Sequence, residues 1–440
     1  MEQPVHRIVD LVPEEGQQIF NMEVAEARRR LISEAPGSVL EIEGSFALVA
    51  RDGERVSLAR SLDRPLRYFL AKEEAGPLLV VGERLDQIRS FLEGEGYGGQ
   101  FHPTYTRMVP AHHVTRLRLI GCPDPNPRYL RFFDPPRAAM PADPDLIGER
   151  YVAALTREVR AWLRQQPESD PIGVLFSGGL DSGAVLLATY RSILELGQNP
   201  ARLKAFTLAV DGGGEDADQA REFLRRTELE MLGEEVCVPA VKLDPFEAVE
   251  VIEDYKPLDV ECATMVLALA RGIRRRYPQW RLLVDGDGGD ENLKDYPIEE
   301  NTELTIRSVV NNSMLYQEGW GVGAIKHSLT YSGGLSRGCV RGYAPLRRQG
   351  FSGFSPFTRP SVVEVAEAIP FARLTDGSHG KLYALKGEVL RRGVKKVLGF
   401  DLPVFAKRRF QHGAVPAEVF RDRFSVAEES YRRHLLTLLT

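Results

Sequence analysis

The sequence predicts an α/β protein: a parallel-sheet domain with a helical C-terminal part, preceded by a smaller β-rich N-terminal domain. Three observations carry that prediction. Alternating apolar runs flank Asp52-Gly53. Four prolines fall between Pro135 and Pro144. Beyond them, short apolar strands alternate with amphipathic helices, and glycine-rich turns begin at Ser177 and Asp285. The length of 440 residues fits two or three domains at roughly 150 residues each.

The elements follow in order. A helix is predicted over 22–32. Ser45–Ala50 and Arg55–Ala59 form a hairpin, because Asp-Gly accepts the positive φ that a tight turn needs at both central positions. Strands follow at Leu66–Leu70, Leu78–Val81 and Val114–Ile120, with a short helix at Glu83–Leu92. The proline-rich stretch 136–144 reads as a linker, since proline stiffens the backbone and removes donors. It separates a domain over 1–135 from one over 145–440. In the second, Leu146, Tyr151, Leu155, Val159 and Trp162 fall at helical spacing over 145–165. Strands are predicted at Ile172–Phe176, Lys204–Val210, Glu235–Val241 and Trp280–Asp285. The helices between them are Gly183–Leu196, Asp216–Leu232, Pro245–Tyr255 and Ala263–Arg275. This alternation implies a parallel sheet with helices on both faces, and ligands in such sheets sit at the carboxyl ends of the strands. The chain from Glu299 on is mostly helical, with irregular Gly/Pro/Ser stretches over Tyr331–Pro360.

Composition excludes several classes. Hydrophobic residues make up 43% and charged residues 27%, so the chain is not wholly disordered. A net charge of −5 argues against general affinity for nucleic acid, which needs a basic excess. No apolar run approaches the ~20 residues that span a bilayer. The Met1–Arg7 segment lacks the apolar core of a signal peptide. Cys122, Cys237, Cys262 and Cys339 lie far apart and form no C-x-x-C pair. The expectation is a cytoplasmic protein without a nucleic-acid or membrane partner.

Two segments carry chemistry. In Leu175-Phe176-Ser177-Gly178-Gly179-Leu180-Asp181-Ser182, an apolar strand enters a glycine turn that opens a helix. Successive inward N–H groups and the helix N-terminus make an anion cradle, and the Ser177 and Ser182 hydroxyls add donors. The lysine and glycine spacing of a Walker loop are missing. Asp181 beside a phosphate is repulsive unless a cation intervenes, which implies Mg²⁺. The second segment, Asp285-Gly286-Asp287-Gly288-Gly289-Asp290-Glu291-Asn292, crowds four carboxylates among three glycines. Such a cluster repels itself unless a metal or basic ligand neutralises it.

Ser177–Ser182 is the S-G-G-x-D-S signature of PP-loop ATP pyrophosphatases (the adenine nucleotide α-hydrolase-like fold). With Gly286–Glu291 as the G-x-G-x-D-E motif, the chain resembles the asparagine synthetase family. Ser355-Pro356-Phe357 with the helix after it, the lysine-rich helix over Lys381–Val389, and Ala406-Lys407-Arg408-Arg409-Phe410 extend the resemblance. Gly44–Ala47, Arg60 with Pro65-Leu66 and Tyr68, Val81-Gly82-Glu83 and Val109–His112 resemble the second half of a class II glutamine amidotransferase domain. Those domains use an amino-terminal cysteine as nucleophile, whereas this sequence opens Met1-Glu2-Gln3. The expectation is therefore synthesis without glutamine hydrolysis, as in the related β-lactam synthetases and lasso-peptide cyclases.

The resemblance implies ATP and Mg²⁺ as cofactors. It implies adenylation of a small-molecule or peptide carboxylate, then attack by ammonia or an amine. Ser177, Gly178, Gly179, Ser182 and Gly286 would hold the nucleotide, with backbone near Leu208–Val210 at the adenine. Asp181 and Asp290 would hold Mg²⁺, and Lys407 would stabilise developing charge. Asp287 stands where the family has glutamate, with a reach shorter by ~1.3–1.5 Å, and is a candidate amine ligand or base. Arg337 and Arg341 are candidate contacts to an anionic substrate or plain surface arginines. A homodimer through the N-terminal domain is also expected. Two other classes stay open. One is a PP-loop tRNA sulfur-transfer enzyme, although no cysteine pair or basic module is visible. The other is a catalytically inactive nucleotide-binding scaffold.

Overall fold

The computed structural model describes residues 5–33, 35–119, 127–295, 305–311, 339–406 and 410–440. Its amino-terminal part runs through β1 (Arg7–Asp10), β2 (Gln18–Ile19), α1 (Val24–Ile32), β3 (Gly44–Ser45), β4 (Ala47–Asp52) and β5 (Arg55–Arg60). It continues with β6 (Arg67–Ala71), β7 (Leu78–Gly82), α2 (Leu85–Gly94), β8 (Arg107–Met108), β9 (His113–Arg118) and β10 (Arg128–Arg131). The hairpin forms, β4 and β5 pairing antiparallel, but its turn lies one residue further on than predicted: Asp52 pairs with Arg55, so the central residues are Gly53 and Glu54, and only Gly53 takes a positive φ, 55°.

Among the described residues two four-stranded sheets form, ordered β1-β7-β6-β8 and β10-β9-β5-β4, beside the short pair β2-β3. The facing sides of the two larger sheets share a core of Val49, Val56, Leu58 and Leu117 with Tyr68, Leu79 and Val81. Period-two alternation sends the other side chains outward. Leu48, Ala50, Ala59 and Val114 meet Ala27 and Leu31 of α1. Phe69, Leu78 and Val80 meet α2 and, beyond it, residues of the carboxyl-terminal part (Ala248, Val249, Val260, Leu267, Tyr431). That second apolar layer joins the two halves of the molecule.

The segment after Phe133 has no regular structure, but it is tied down. The N–H groups of Ala138 and Met140 donate to the carbonyls of Glu367 and Ala368. Then come α3 (Pro144–Leu163), β11 (Ile172–Leu175), α4 (Leu180–Glu195), β12 (Leu203–Val210), α5 (Glu215–Arg226) and β13 (Gly233–Val238). The chain goes on through α6 (Pro245–Ile252), α7 (Pro257–Arg276), β14 (Leu282–Val284), α8 (Gly289–Leu293) and β15 (Ser352–Phe354). Among the described residues the five strands β11–β15 form one sheet, ordered β13-β12-β11-β14-β15, with every pairing parallel. Helices, chiefly Pro360–Glu367, His379–Leu398 and Glu428–Leu439, make up the rest of the described carboxyl-terminal part.

The differences from the sequence reading have local causes. The helix predicted over Asp216–Leu232 stops at Arg226, where Glu228 takes a left-handed φ of 58°. The helix predicted from Pro245 ends at Ile252, because Glu253 takes φ 51°. β15 was not predicted: three residues within an irregular Gly/Pro/Ser stretch show no periodicity. Trp162 is core, stacked on Phe354 with centroids 4.9 Å apart. His112 and His113 are buried at the start of β9, His112 against Phe132 and Phe133.

Candidate functional site

β11 lies between β12 and β14, and the chain winds outward from it in both directions. The strand order therefore reverses between β11 and β14, the kind of crevice in which open α/β sheets bind ligands. Both glycine turns start there, one after Leu175 and the other after Val284. They touch. A Cβ on Gly286 would lie 3.0 Å from the Ser182 nitrogen and 3.1 Å from the Asp181 Cβ. A Cβ on Gly289 would overlap the Asp181 carboxylate. Only glycine lets the two backbones approach so closely.

The first turn is shaped to take an anion. Gly178 has φ 74° and rests on the Gln219–Ala220 backbone of α5, where a Cβ would come within 2.8 Å of the Ala220 nitrogen. Gln219 Nε2 donates to the Ser177 carbonyl at 3.3 Å. The hydroxyls close the loop on itself: Ser177 Oγ lies 3.2 Å from Ser182 Oγ and accepts from the Gly179 N–H at 3.3 Å. Gly179 caps α4, a sixteen-residue helix whose N-terminus carries partial positive charge into the turn.

A lysine occupies the centre. Lys386, from the helix His379–Leu398, is 2% exposed. Its Nζ donates to Asp181 Oδ2 at 2.5 Å, also donates to Asp290, and lies 3.5 Å from Asp295. These carboxylates hold the ammonium well above its usual pKa against the opposing effect of burial. One ammonium cannot balance three carboxylates. Burial, reinforced by Asp290 and Asp295, pushes Asp181 up to about 7 even though Lys386 pulls the other way. The cation that the sequence demanded beside Asp181 is thus in part a side chain. The sequence marks the lysine-rich helix but gives no sign that Lys386 is the lysine turned inward.

Acceptor capacity for a metal remains. Asp181 Oδ1 is buried without a hydrogen-bond partner, and the Asp290 side chain is 38% exposed. Among the described residues no group of three His, Cys, Asp or Glu forms a metal cage. The acceptor pair Asp181 and Asp290 is of the kind Mg²⁺ uses, since that ion takes one or two carboxylates and completes its shell with water and substrate phosphates.

The second turn carries a further acidic group. Asp285 Oδ1 accepts from the Asp287 N–H at 3.1 Å. Burial pushes Asp285 up to about 6, and burial next to Asp285 raises Asp287 well above the usual carboxylate range. Arg341 is the nearby countercharge, with its Nε 3.0 Å from Asp259 Oδ1 of α7. Glu291 is 7% exposed, and its Oε1 has no hydrogen-bond partner. Asn292, near the end of α8, anchors that helix by donating to the Phe357 carbonyl at 2.9 Å and to the Tyr151 hydroxyl at 3.1 Å.

Other sequence candidates separate. Leu208 and Val210 are buried on β12 next to β11. The Phe206 carbonyl accepts from the Phe176 N–H, so alternation turns the Leu208 peptide groups to the same side, past the last β11 pair. The Val210 N–H instead donates to the Ala414 carbonyl at 3.1 Å, and its carbonyl accepts from Gly213. Lys407 lies outside the described residues, as do Arg337 and Cys122. Burial pushes the Cys262 thiol up to about 12, and burial with Glu235 raises that of Cys237.

Residues 153–325 match the family model described as asparagine synthase. This span holds both glycine turns and the strands that lead into them. A search of curated proteins found no match to the chain. No helix among the described residues is long and apolar enough to cross a membrane.

Proposed function

From the match of residues 153–325 to the asparagine synthase family model, we propose that this protein is an amide-forming ligase that adenylates a carboxylate with ATP. It then passes the acyl group to ammonia or an amine. One observation carries the reading: the Ser177–Ser182 and Gly286–Glu291 turns meet at the switch point of the sheet, with Lys386 between them.

The residues divide the work. The Gly178–Leu180 backbone and the α4 N-terminus receive the leaving pyrophosphate, and the Ser177 and Ser182 hydroxyls turn from each other to the phosphates. Asp181 and Asp290 would hold Mg²⁺, which when bound offsets phosphate charge. Lys386 aligns these carboxylates and draws Asp181 toward its ionised form against the effect of burial. The Leu208 peptide is the candidate adenine contact. Lys407 is the candidate donor to charge developing at the reacting acyl group. In the second half-reaction the amine nitrogen bonds to the acyl carbon as the acyl–phosphate bond breaks and AMP leaves. Asp287, its carboxyl raised by burial, takes the proton that the nitrogen sheds.

Glutamine is not the nitrogen source in this reading. Neither Cys237 nor Cys262 has the lowered pKa of a nucleophilic thiolate. Arg60 and Glu83, from the amidotransferase-like stretches, are occupied internally. Arg60 donates to the carbonyls of Val109 and Arg64, and Glu83 accepts from Arg64.

The test is a screen of carboxylates for exchange of labelled pyrophosphate into ATP, which reads adenylation before the nucleophile is known. The expected result is exchange that depends on one class of carboxylate. Turnover that yields ADP and phosphate would overturn the reading.

A further inference from the structure

The apolar layer around α2, α6 and α7 already holds the two halves of the protein together. Yet buried ionic groups of the N-terminal sandwich also reach across, and two of them end on the walls of the acidic turn. Burying ions is expensive, and a well-packed apolar contact often serves stability as well or better. Their placement therefore calls for a reason other than adhesion.

We propose that the N-terminal β-sandwich braces the synthetase site, holding the Asp285–Glu291 turn from two sides through Asp63 and Glu83.

The first arm runs through Arg359. Asp63 is 6% exposed and is gripped by Ser45 Oγ and Ser61 Oγ, each at 2.6 Å. Arg359 Nη2 lies 2.6 Å from Asp63 Oδ2 and 3.1 Å from Thr358 Oγ1. Arg359 ends the short turn Pro356–Thr358, which forms the back wall of the acidic turn. There Gly288, with φ 96°, presses on Phe357 and Thr358, and the Phe357 carbonyl holds Asn292. Beyond Gly288, its neighbours Gly286 and Gly289 rest on Asp181 and Ser182.

The second arm runs through Tyr343. Arg64 Nε donates to Glu83 Oε1 at 2.9 Å, and the Tyr343 hydroxyl donates to the same oxygen at 3.5 Å. The Arg64 guanidinium lies 5.3 Å from the centre of the Tyr343 ring. Gly342, the residue before, has no slack: a Cβ there would be 2.6 Å from Asp287 Oδ2 and 3.2 Å from Asp285 Oδ2. A shift of Tyr343 therefore moves the wall against which both carboxylates lean. Asp63 and Glu83 are positioning residues, which act through Arg359 and Tyr343 without touching substrate.

Amide hydrogen exchange on the full-length Asp63→Asn variant, with no ligand present, tests the brace directly. Magnesium-ATP affinity by calorimetry is the second readout, and only this arm rests on the ligase reading. The expected result is exchange about tenfold faster over 284–292 and nucleotide binding about tenfold weaker, the scale of coupling between packed elements. Unchanged exchange over 284–292 overturns the proposal. So does unchanged affinity in a variant that merely melts earlier, since the pair would then be a weld between domains. If the native protein itself fails to bind magnesium-ATP, the ligase reading falls and the exchange result alone decides the brace. Should Asp63→Asn not fold, Ser45→Ala removes one hydrogen bond to Asp63, leaves every charge in place, and is read in the same two ways.

Discussion

Lys386 Nζ lies 2.5 Å from Asp181 Oδ2, and the same ammonium reaches Asp290 in the other turn. A single buried charge thus ties the two halves of the site. Replacing it with methionine keeps the bulk but leaves Asp181, Asp290 and Asp295 facing one another. Lys386→Met is expected to lower stability by about 3–5 kcal/mol, as when one partner of a buried ion pair is removed. Mg²⁺ should restore part of that loss by substituting for the ammonium. Urea denaturation with and without Mg²⁺ measures both effects, and a loss under 1 kcal/mol would show that the carboxylates relax into water.

Gly289→Ala places a methyl on the Asp181 carboxylate. The expected outcome is a folded protein whose carboxylate-dependent pyrophosphate exchange falls at least about a hundredfold, the usual scale for misplaced reacting groups. Gly99→Ala, where a Cβ meets nothing within 4 Å, serves as the control and should retain exchange.

Stability should depend on pH in a definite sense. Burial pushes Asp254 and Asp285 up to about 6, and Asp181 up to about 7, from a usual value of 3.8. The folded state then binds more protons than the unfolded chain between pH 4 and 7, so these groups make stability fall as pH rises through that window. Asp254→Asn removes one such group, and its amide oxygen can still accept from the Tyr255 and Lys256 N–H groups. Relative to the native protein the variant should gain melting temperature at pH 8 and gain less at pH 5. Calorimetry at the two pH values settles the sign.

Asp287→Asn separates the half-reactions. With the base gone but the nucleotide turn intact, pyrophosphate exchange should persist within a fewfold. Amide formation should drop about 10²–10⁴-fold, the usual contribution of a general base. Loss of both together would place Asp287 in the adenylation step instead.

Much of this was legible in the sequence because it is local. The β4–β5 hairpin, strands β11–β14 of the parallel sheet and both glycine turns are each written in a short window of residues. The contact between the turns followed from their shared place at strand ends. Lys386 was not legible. Its helix also carries Lys381, Lys395 and Lys396, whose side chains are more than half exposed. Only the packing of that helix against α3 and α4 turns one lysine inward. Asp63 with Arg359, and Arg67 with Glu253, pair residues far apart in the chain, so no local pattern announces them.

Glu253, one residue past the end of α6, accepts from the N–H groups of Leu85 and Asp86 at 2.9 and 3.0 Å and thereby caps α2. On a ribosome, α2 emerges long before the carboxylate that completes its first turn. The amino-terminal unit must wait, half-finished, for the chain behind it, and a fragment cut at the proline stretch should show α2 fraying at its beginning.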